Sequence, residues 1–209
     1  MNTIAEKVAS YLLDIKAIKL DPNHPFTWAS GWKSPIYCDN RKTLSYPEVR
    51  TYIKEQFVAL IREKYPEVEV IAGVATGAIA QGVLVAQELN LPFIYVRSSA
   101  KSHGLENLIE GEYKPGQKIV VIEDLVSTGG SSLQAVEALR NVGCEVLGML
   151  AIFTYGFQKA EDNFQHAACS LTTLSNYSAM IDLALKIGYV KSEQIEKLKA
   201  WRLSPETYK

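Results

Sequence analysis

The hydrophobic positions of this chain follow two spacings, one typical of buried strands and the other of amphipathic helices. Residues 118–122 (KIVVI) form an apolar, β-branched run without polar alternation, which indicates a central parallel strand covered on both faces. Similar runs predict strands at 68–72, 93–96, 145–154 and 167–174. Because helical spacings lie between these runs, we expect an α/β fold with a central, mainly parallel sheet flanked by helices.

The helical spacing is clear in six segments, where apolar residues recur three or four positions apart. These segments lie at 2–19, 47–64, 78–90, just after 130, 174–185 and 191–202. The stretch 25–41 is different, since Gly31 and Pro35 interrupt it and aromatic residues alternate with polar ones. It predicts a β-hairpin that turns near residues 30–31, which on its residues alone could be purely structural.

Two carboxylates, Glu123 and Asp124, follow the central strand, and a loop of small and hydroxyl residues at 127–132 (STGGSS) leads into the next helix. A helix N-terminus favours a phosphate, because its N–H groups are unpaired and its dipole is positive there. The carboxylates would repel that phosphate, but they can accept hydrogen bonds from sugar hydroxyls or help to hold a metal. The stretch therefore predicts a phosphorylated sugar as ligand, with a generic nucleotide-binding turn or a plain αβ loop as the alternatives.

Two other segments could bind anions. The strand at 68–72 ends in a glycine-bearing turn at 73–77 (GVATG) before a helix, which again describes an anion site, although a tight turn needs no ligand. The polar segment that starts at Arg97 carries Lys101 and His103 and continues to Gly116. A loop of this length in a compact domain is usually functional or mobile. Its cations suit a polyanion, whereas a histidine alone would be expected to face solvent.

Composition excludes several classes of function. The 209 residues suffice for a single domain over 1–209, and the net charge of −1, from 22 Lys and Arg against 23 Asp and Glu, argues against a broad nucleic-acid or membrane surface. No apolar run approaches the roughly 18 residues of a spanning helix, and Glu6, Lys7 and Asp14 interrupt any signal-peptide core. Three widely spaced cysteines indicate reduced thiols, so we expect a cytoplasmic protein without a membrane partner.

The apolar run, the acid pair and the Ser-Thr-Gly-Gly turn together resemble the phosphoribosyl-pyrophosphate (PRPP) motif of type I phosphoribosyltransferases. The resemblance implies the type I phosphoribosyltransferase fold. It places the 5-phosphate on residues 127–131, the ribose hydroxyls on the acid pair, and the pyrophosphate on the turn at 73–77. The implied PRPP contacts from this motif are Glu123, Asp124, Leu125, Val126, Ser127, Thr128, Gly129, Gly130 and Ser131.

The run RxxAKxHG at 97–104 resembles the catalytic loop of the same family. This resemblance implies PRPP contacts for Arg97, Lys101 and His103, and catalytic roles for Lys101 and His103 together with Asp124. In the family this loop closes over the active site of the neighbouring subunit, which implies a homodimer.

The pattern FTxxSGxxSPxY at 26–37 resembles the N-terminal signature of orotate phosphoribosyltransferases. In that family the hairpin forms a hood over the base, which implies a small subdomain made mainly of residues 20–42, together with a C-terminal segment. The resemblance implies orotate contacts for Tyr37, Ser127 and Tyr155, and places Cys38 beside the orotate ring.

The chain departs from the family pattern at four positions. Many members have a lysine where this chain has Ala29, Gly77 or Ser98, and some have an arginine where it has Tyr155. The turn at 73–77 therefore has only backbone N–H groups with which to hold an anion, and the detailed contacts with the base are open.

The resemblance as a whole implies that orotate and PRPP react to give orotidine 5′-monophosphate and pyrophosphate, a step of UMP synthesis. It implies Mg²⁺ as cofactor, held mainly by substrate and water with no direct protein ligand. A purine phosphoribosyltransferase is the alternative of the same fold, and the hood pattern argues against it. A PRPP-sensing regulator that binds nucleic acid would need a basic face or an added DNA-binding domain, and the sequence shows neither.

Overall fold

The computed structural model describes residues 3–28, 31–97 and 108–208. Its helices are α1 (Ile4–Asp14), α2 (Pro47–Lys64), α3 (Ile79–Leu89), α4 (Gly130–Asn141), α5 (Gln158–His166), α6 (Tyr177–Lys186) and α7 (Ser192–Leu203), with short 3₁₀ helices at Asn40–Ser45 and Pro205–Thr207. Its strands are β1 (Ile18–Leu20), β2 (Phe26–Thr27), β3 (Lys33–Ser34), β4 (Ile36–Cys38), β5 (Val70–Val74), β6 (Phe93–Val96), β7 (Ile109–Glu110), β8 (Lys118–Val126), β9 (Glu145–Thr154) and β10 (Leu171–Asn176). Within these ranges, none of the helices has the length and hydrophobicity needed to span a lipid bilayer.

Six strands form one sheet in the order β10-β9-β8-β5-β6-β7. Five of them are parallel, and β7 pairs antiparallel with β6 at the edge. The expected α/β architecture with a mainly parallel sheet is therefore confirmed. The chain passes from β5 to β6 on one side and then returns to β8 on the other. Ligands of open parallel sheets bind where the strand order reverses in this way, outside the carboxyl ends of the strands.

Alternate residues of β8 enter two different hydrophobic clusters. Val120 and Ile122 pack in the cluster that contains α1 and α2, whereas Ile119 and Val121 pack in the cluster beneath α4. All four side chains are completely buried. Both faces of the strand are covered, which explains why no polar residue interrupts the run before Glu123.

Four short strands, β1 to β4, lie outside the main sheet, and we refer to them as the hood. β1 pairs antiparallel with β4, so that Ile18 lies opposite Cys38, and β2 pairs antiparallel with β3. The predicted hairpin is confirmed by the β2–β3 pair. Gly31, between the two strands, has a φ of +86°, which a residue with a side chain rarely adopts.

The C-terminal helix packs on the hood and on the main sheet. The ring centroid of Trp201 in α7 lies 5.7 Å from that of Trp28 in the hood and 5.7 Å from that of Tyr155 after β9. The hydroxyl of Tyr208 donates to the carbonyl of Pro22 (3.2 Å). These contacts hold the hood against the sheet.

Several boundaries differ from those expected from the hydrophobic spacing. The helix expected over 2–19 ends at Asp14, because Lys16 adopts a left-handed φ of 55° and a strand follows. The strand expected at 167–174 runs instead over β10, and α6 begins directly after it. Helix α5 and strand β7 were not predicted. Helix α5 gives little hydrophobic signal, since only Ala160 and Phe164 are buried among its nine residues.

Candidate active site

A cleft of about 730 Å³ opens at the carboxyl ends of β5 and β8. One wall is the turn after β5, with Thr76 and Gly77, and a second is the end of β8, with Glu123 and Asp124. The hood side contributes Cys38, Asp39 and Arg41, and α4 contributes Ser131 and Gln134 among others. The cleft therefore lies at the point where the strand order reverses and brings together segments that are distant along the chain.

Glu123 is the buried member of the acid pair, with 5% of its surface exposed. Its Oε1 accepts from the N–H of Asp124 (3.0 Å), and its Oε2 accepts from the hydroxyl of Ser132 (2.7 Å). Burial, with a further contribution from the charge of Asp124, raises the pKa of Glu123 to about 8. Glu123 therefore holds a proton more tightly than an exposed glutamate does, and its hydrogen bonds join the end of β8 to α4.

Asp124 is the more exposed member of the pair. Burial raises the pKa of Asp124, and the positive charge of Arg41 opposes that rise. The carboxylate lies against Gly77, where a methyl group would overlap it. The backbone carbonyl of Asp124 accepts from Nδ2 of Asn40 (2.6 Å), a buried residue 84 positions earlier. Arg41, Gly77 and Asn40 therefore surround Asp124, and its carboxylate lies at the cleft.

The loop after β8 is supported from α5. Asn163 Nδ2 donates to the carbonyl of Thr128 (2.9 Å), and the ring of Phe164 packs against Gly129, which has a φ of +82°. The N-cap residue of α4 is Gly129, which has no side chain to cap the helix. A Cβ at Gly130 would meet no atom of the described residues within 4 Å, so this part of the structure leaves space beside the first turn of the helix. This turn can therefore receive an anion on its N–H groups.

Comparison with known proteins identifies the family. The family model for the phosphoribosyl transferase domain matches residues 43–187. The orotate phosphoribosyltransferase of Porphyromonas gingivalis is 62% identical over 208 residues, a match that covers 100% of this chain and 99% of the relative. The chain belongs to the orotate phosphoribosyltransferase family. The resemblance carried by the PRPP motif and the hood pattern is therefore confirmed.

Solved structures agree with this family in fold. The structure of Leishmania donovani UMP synthase has a TM-score of 0.79 and 27% identity, and the match covers 95% of this chain and 42% of that one. The orotate phosphoribosyltransferase of Aeropyrum pernix has a TM-score of 0.76 and 24% identity, with coverage of 88% and 99%. At this identity the second likeness supports the fold alone.

Four of the PRPP contacts predicted from the motif line the cleft, whereas Ser127, Thr128, Gly129 and Gly130 are not among its lining residues. Leu125 and Ser131 line the cleft together with the acid pair. Val126 is fully buried, and its carbonyl accepts from the hydroxyl of Thr154 (3.1 Å) and the N–H of Tyr155 (3.3 Å). Any contact of Val126 with PRPP must therefore come from the backbone.

Arg97 is the one residue of the expected catalytic loop for which the structure gives a position. It lines the cleft, and its Nη1 lies 3.5 Å from Oε1 of Glu110. Its N–H donates to the carbonyl of Leu108 (2.8 Å). Lys101 and His103 lie outside the described residues, so their catalytic roles stay predictions.

The expected orotate contacts fall in different surroundings. The ring of Tyr37 is 40% exposed and lies 5.8 Å from that of Phe26, whereas its neighbour Cys38 lines the cleft. Tyr155 is only 3% exposed, because its ring stacks on Phe157 (5.5 Å between centroids). Burial raises the pKa of Tyr155 well above its ordinary value. Little of this ring remains to contact orotate, and the predicted role stays a prediction, as does that of Ser127.

Three residues at the cleft were not predicted from the sequence. Asn40 is 1% exposed and bonds Asp124, while Asp39 accepts from Nε of Arg41 (2.7 Å). The available signal was a polar triplet, Asp-Asn-Arg, directly after the hood pattern. Such a triplet is also typical of an exposed turn, so the sequence alone did not distinguish residues of the cleft from residues of an ordinary turn.

The donor set at the cleft is compatible with Mg²⁺. Among the described residues, no three His, Cys, Asp or Glu side chains converge on one point in the way that a metal site built from protein ligands requires. Asp124 offers a carboxylate at the cleft, and Mg²⁺ commonly binds one or two carboxylates while it keeps water and substrate oxygens as further ligands. The residues thus fit an ion that a polyphosphate substrate brings with it.

Proposed function

We propose that this chain transfers the 5-phosphoribosyl group of PRPP to N1 of orotate, which gives orotidine 5′-monophosphate and pyrophosphate in de novo UMP synthesis. The main support is the 62% identity with the Porphyromonas gingivalis orotate phosphoribosyltransferase over the whole chain. The cleft adds the physical reason, because it joins an uncapped helix N-terminus, a carboxylate and the hood in a single site.

Each part of PRPP has a counterpart in the cleft. The 5-phosphate would bind the N–H groups at the start of α4, with donors from Ser127, Thr128 and Ser131. The ribose hydroxyls would donate to the carboxylate of Asp124, which Asn40 and Gly77 hold in position. Glu123 would act through Asp124 and Ser132, since both of its oxygens are already bonded. The pyrophosphate would lie against the turn after β5.

The reaction breaks the C1–O bond of PRPP and forms a C1–N bond. Pyrophosphate leaves with the electron pair, and N1 of orotate attacks as an anion, so no protein nucleophile is needed. The transition state resembles an oxocarbenium ion, and the enzyme accelerates the step by stabilising charge and excluding water. Arg97, Lys101 and His103 would neutralise charge on the departing pyrophosphate, with Lys101 and His103 as the catalytic cations.

We also propose that the enzyme depends on Mg²⁺. Substrate oxygens and water would hold most of the ion's coordination sites, without a direct protein ligand, and the ion would neutralise charge on the pyrophosphate. Removal of the metal with a chelator should abolish turnover, and added Mg²⁺ should restore it. Full activity in the chelated protein would contradict this proposal.

The remaining proposals concern organisation. We propose a cytoplasmic homodimer in which the loop after Arg97 is shared between subunits, without nucleic-acid or membrane partners. We propose that 1–209 form one domain whose hood consists of residues about 20–42 and the C-terminal segment, because Trp28 and Pro22 contact Trp201 and Tyr208. Light scattering after size exclusion should give twice the 23.2 kDa chain mass.

The decisive experiment follows the loss of orotate ultraviolet absorbance when purified protein is mixed with orotate, PRPP and Mg²⁺. Parallel mixtures contain hypoxanthine, guanine, xanthine, adenine or uracil in place of orotate. We expect turnover with orotate alone. Turnover with a purine alone would support the PRPP site but would refute orotate as the acceptor base. If PRPP binds without turnover of any base, a gel shift with nucleic acid would test the alternative that the protein is a PRPP-sensing regulator.

A further inference from the structure

We infer that Arg41 binds the pyrophosphate group of PRPP from the hood side of the cleft, opposite the turn after β5. This inference rests on the proposed function. It assigns a substrate contact to a residue that lies outside the PRPP motif and outside the loop that starts at Arg97.

The surroundings of Arg41 orient its guanidinium for anion binding. Arg41 lies in the 3₁₀ helix that follows β4, and it lines the cleft. Its Nε donates to Oδ1 of Asp39 (2.7 Å), and the Asp39 side chain is only 20% exposed. This anchor uses Nε, so the two terminal nitrogens retain the planar fork that matches a phosphate. The Arg41 side chain is 61% exposed, which leaves it accessible to a ligand.

Arg41 and the turn after β5 converge on the same point. Arg41, Gly77 and Asp124 line the same cleft, and the positive charge of Arg41 opposes the rise that burial causes in the pKa of Asp124. The Asp124 carboxylate in turn lies against Gly77. Arg41 is therefore close to the part of the cleft where the pyrophosphate would lie, next to the ribose that Asp124 would hold.

The charges along the cleft explain why a cation is needed there. Among the described residues that line it, the carboxylates are Asp39, Glu123, Asp124 and Glu137, and the cations are Arg41 and Arg97. Each of these cations has a carboxylate partner, Arg41 in Asp39 (2.7 Å) and Arg97 in Glu110 (3.5 Å). The turn after β5 provides backbone N–H groups but no cationic side chain. A polyphosphate next to Asp124 would be repelled unless a cation such as Arg41 offset the carboxylate.

The test compares Arg41→Gln with Lys19→Ala, which removes an exposed cation from the hood strand β1, outside the cleft. Calorimetry in the presence of Mg²⁺ would measure the Kd of PRPP, pyrophosphate and ribose 5-phosphate for each protein. In Arg41→Gln we expect the Kd of PRPP and of pyrophosphate to rise about tenfold, as for a lost charge-assisted hydrogen bond. The Kd of ribose 5-phosphate should stay unchanged, and Arg41→Lys should recover part of the loss. Lys19→Ala should match the wild type for all three ligands.

Three results would overturn the inference. The first is an unchanged Kd of PRPP and pyrophosphate in Arg41→Gln, and the second is an equal loss of affinity for ribose 5-phosphate. The third is a rise confined to the KM of orotate, which would place Arg41 on the orotate carboxylate instead. The inference and the proposed function can fail separately. Wild-type protein that binds PRPP and pyrophosphate without converting orotate would refute the function alone. Wild-type protein that binds neither ligand would refute both.

Discussion

The neighbouring strands β5 and β8 both end in glycine-bearing turns that lead into helices, yet the surroundings of the two proposed anion sites differ. The turn after β8 carries its own donors, with Ser127, Thr128 and Ser131 beside the carboxylate of Asp124. The turn after β5 carries a single hydroxyl, that of Thr76, and no cation. Its electrostatic surroundings come from residues elsewhere in the chain, the carboxylate of Asp124 and the guanidinium of Arg41.

Each turn contains a glycine, but the surroundings of the two glycines differ. Gly77 is required by space, because the Asp124 carboxylate fills the position of a side chain. Gly130 has open space around it, where a phosphate can approach. A glycine in a strand–turn–helix motif can therefore leave room either for a ligand or for a neighbouring side chain. Only the contacts in the folded structure distinguish the two cases.

The largest effect is expected where the two turns meet, at Asp124. Asp124→Asn keeps the shape against Gly77 but removes the charge that accepts the ribose hydroxyls. We expect kcat/KM for PRPP to fall about ten- to a hundredfold, the value of a hydrogen bond to a charged group. Steady-state kinetics would measure this, with Asp182→Asn on the exposed side of α6 as control. Equal values of kcat/KM for PRPP in the two variants would show that Asp124 does not bind the ribose hydroxyls.

Identical substitutions in the two turns test the difference directly. Gly77→Ala should lower the free energy of unfolding by about 1–3 kcal/mol, because the new methyl group must displace the Asp124 carboxylate. Gly130→Ala should be neutral or slightly stabilising, since its position is open and alanine favours a helix. Urea denaturation would measure both. Similar losses in the two variants would show that the turns are alike.

The burial of Glu123 predicts a pH dependence of stability. Its pKa is about 8 in the folded protein, against an ordinary value of 4.5, so the unfolded chain binds fewer protons between these values. The free energy of unfolding should therefore decrease as the pH rises from about 5 to about 8, by roughly 3–4 kcal/mol from this group.

Thermal denaturation across this pH range would test the prediction. The melting temperature of Glu123→Gln should depend less on pH than that of the wild type, by roughly 10 °C across this range. Glu161→Gln, in the exposed part of α5, should follow the wild type. If Glu123→Gln keeps the full pH dependence, another group is responsible.

The smallest effect is expected at Asn163, which supports the loop after β8 from α5. Asn163→Ala removes the hydrogen bond to the Thr128 carbonyl and should lower the free energy of unfolding by about 1 kcal/mol. The exposed Gln165→Ala in the same helix serves as control for urea denaturation. If both variants match the wild type, the loop after β8 does not depend on this support.

The sequence by itself determined the central strand, the two glycine-bearing turns and the family, because each depends on residues that are adjacent along the chain. The β-branched run at 118–122 predicts a strand buried on both faces, and β8 has its side chains in two clusters. Only the tertiary structure decided which carboxyl group faces the cleft, why Gly77 is a glycine, and that Asn40 and Arg41 reach Asp124. These features depend on contacts between residues far apart in sequence, such as the 84 positions that separate Asn40 from Asp124, and no local pattern encodes them.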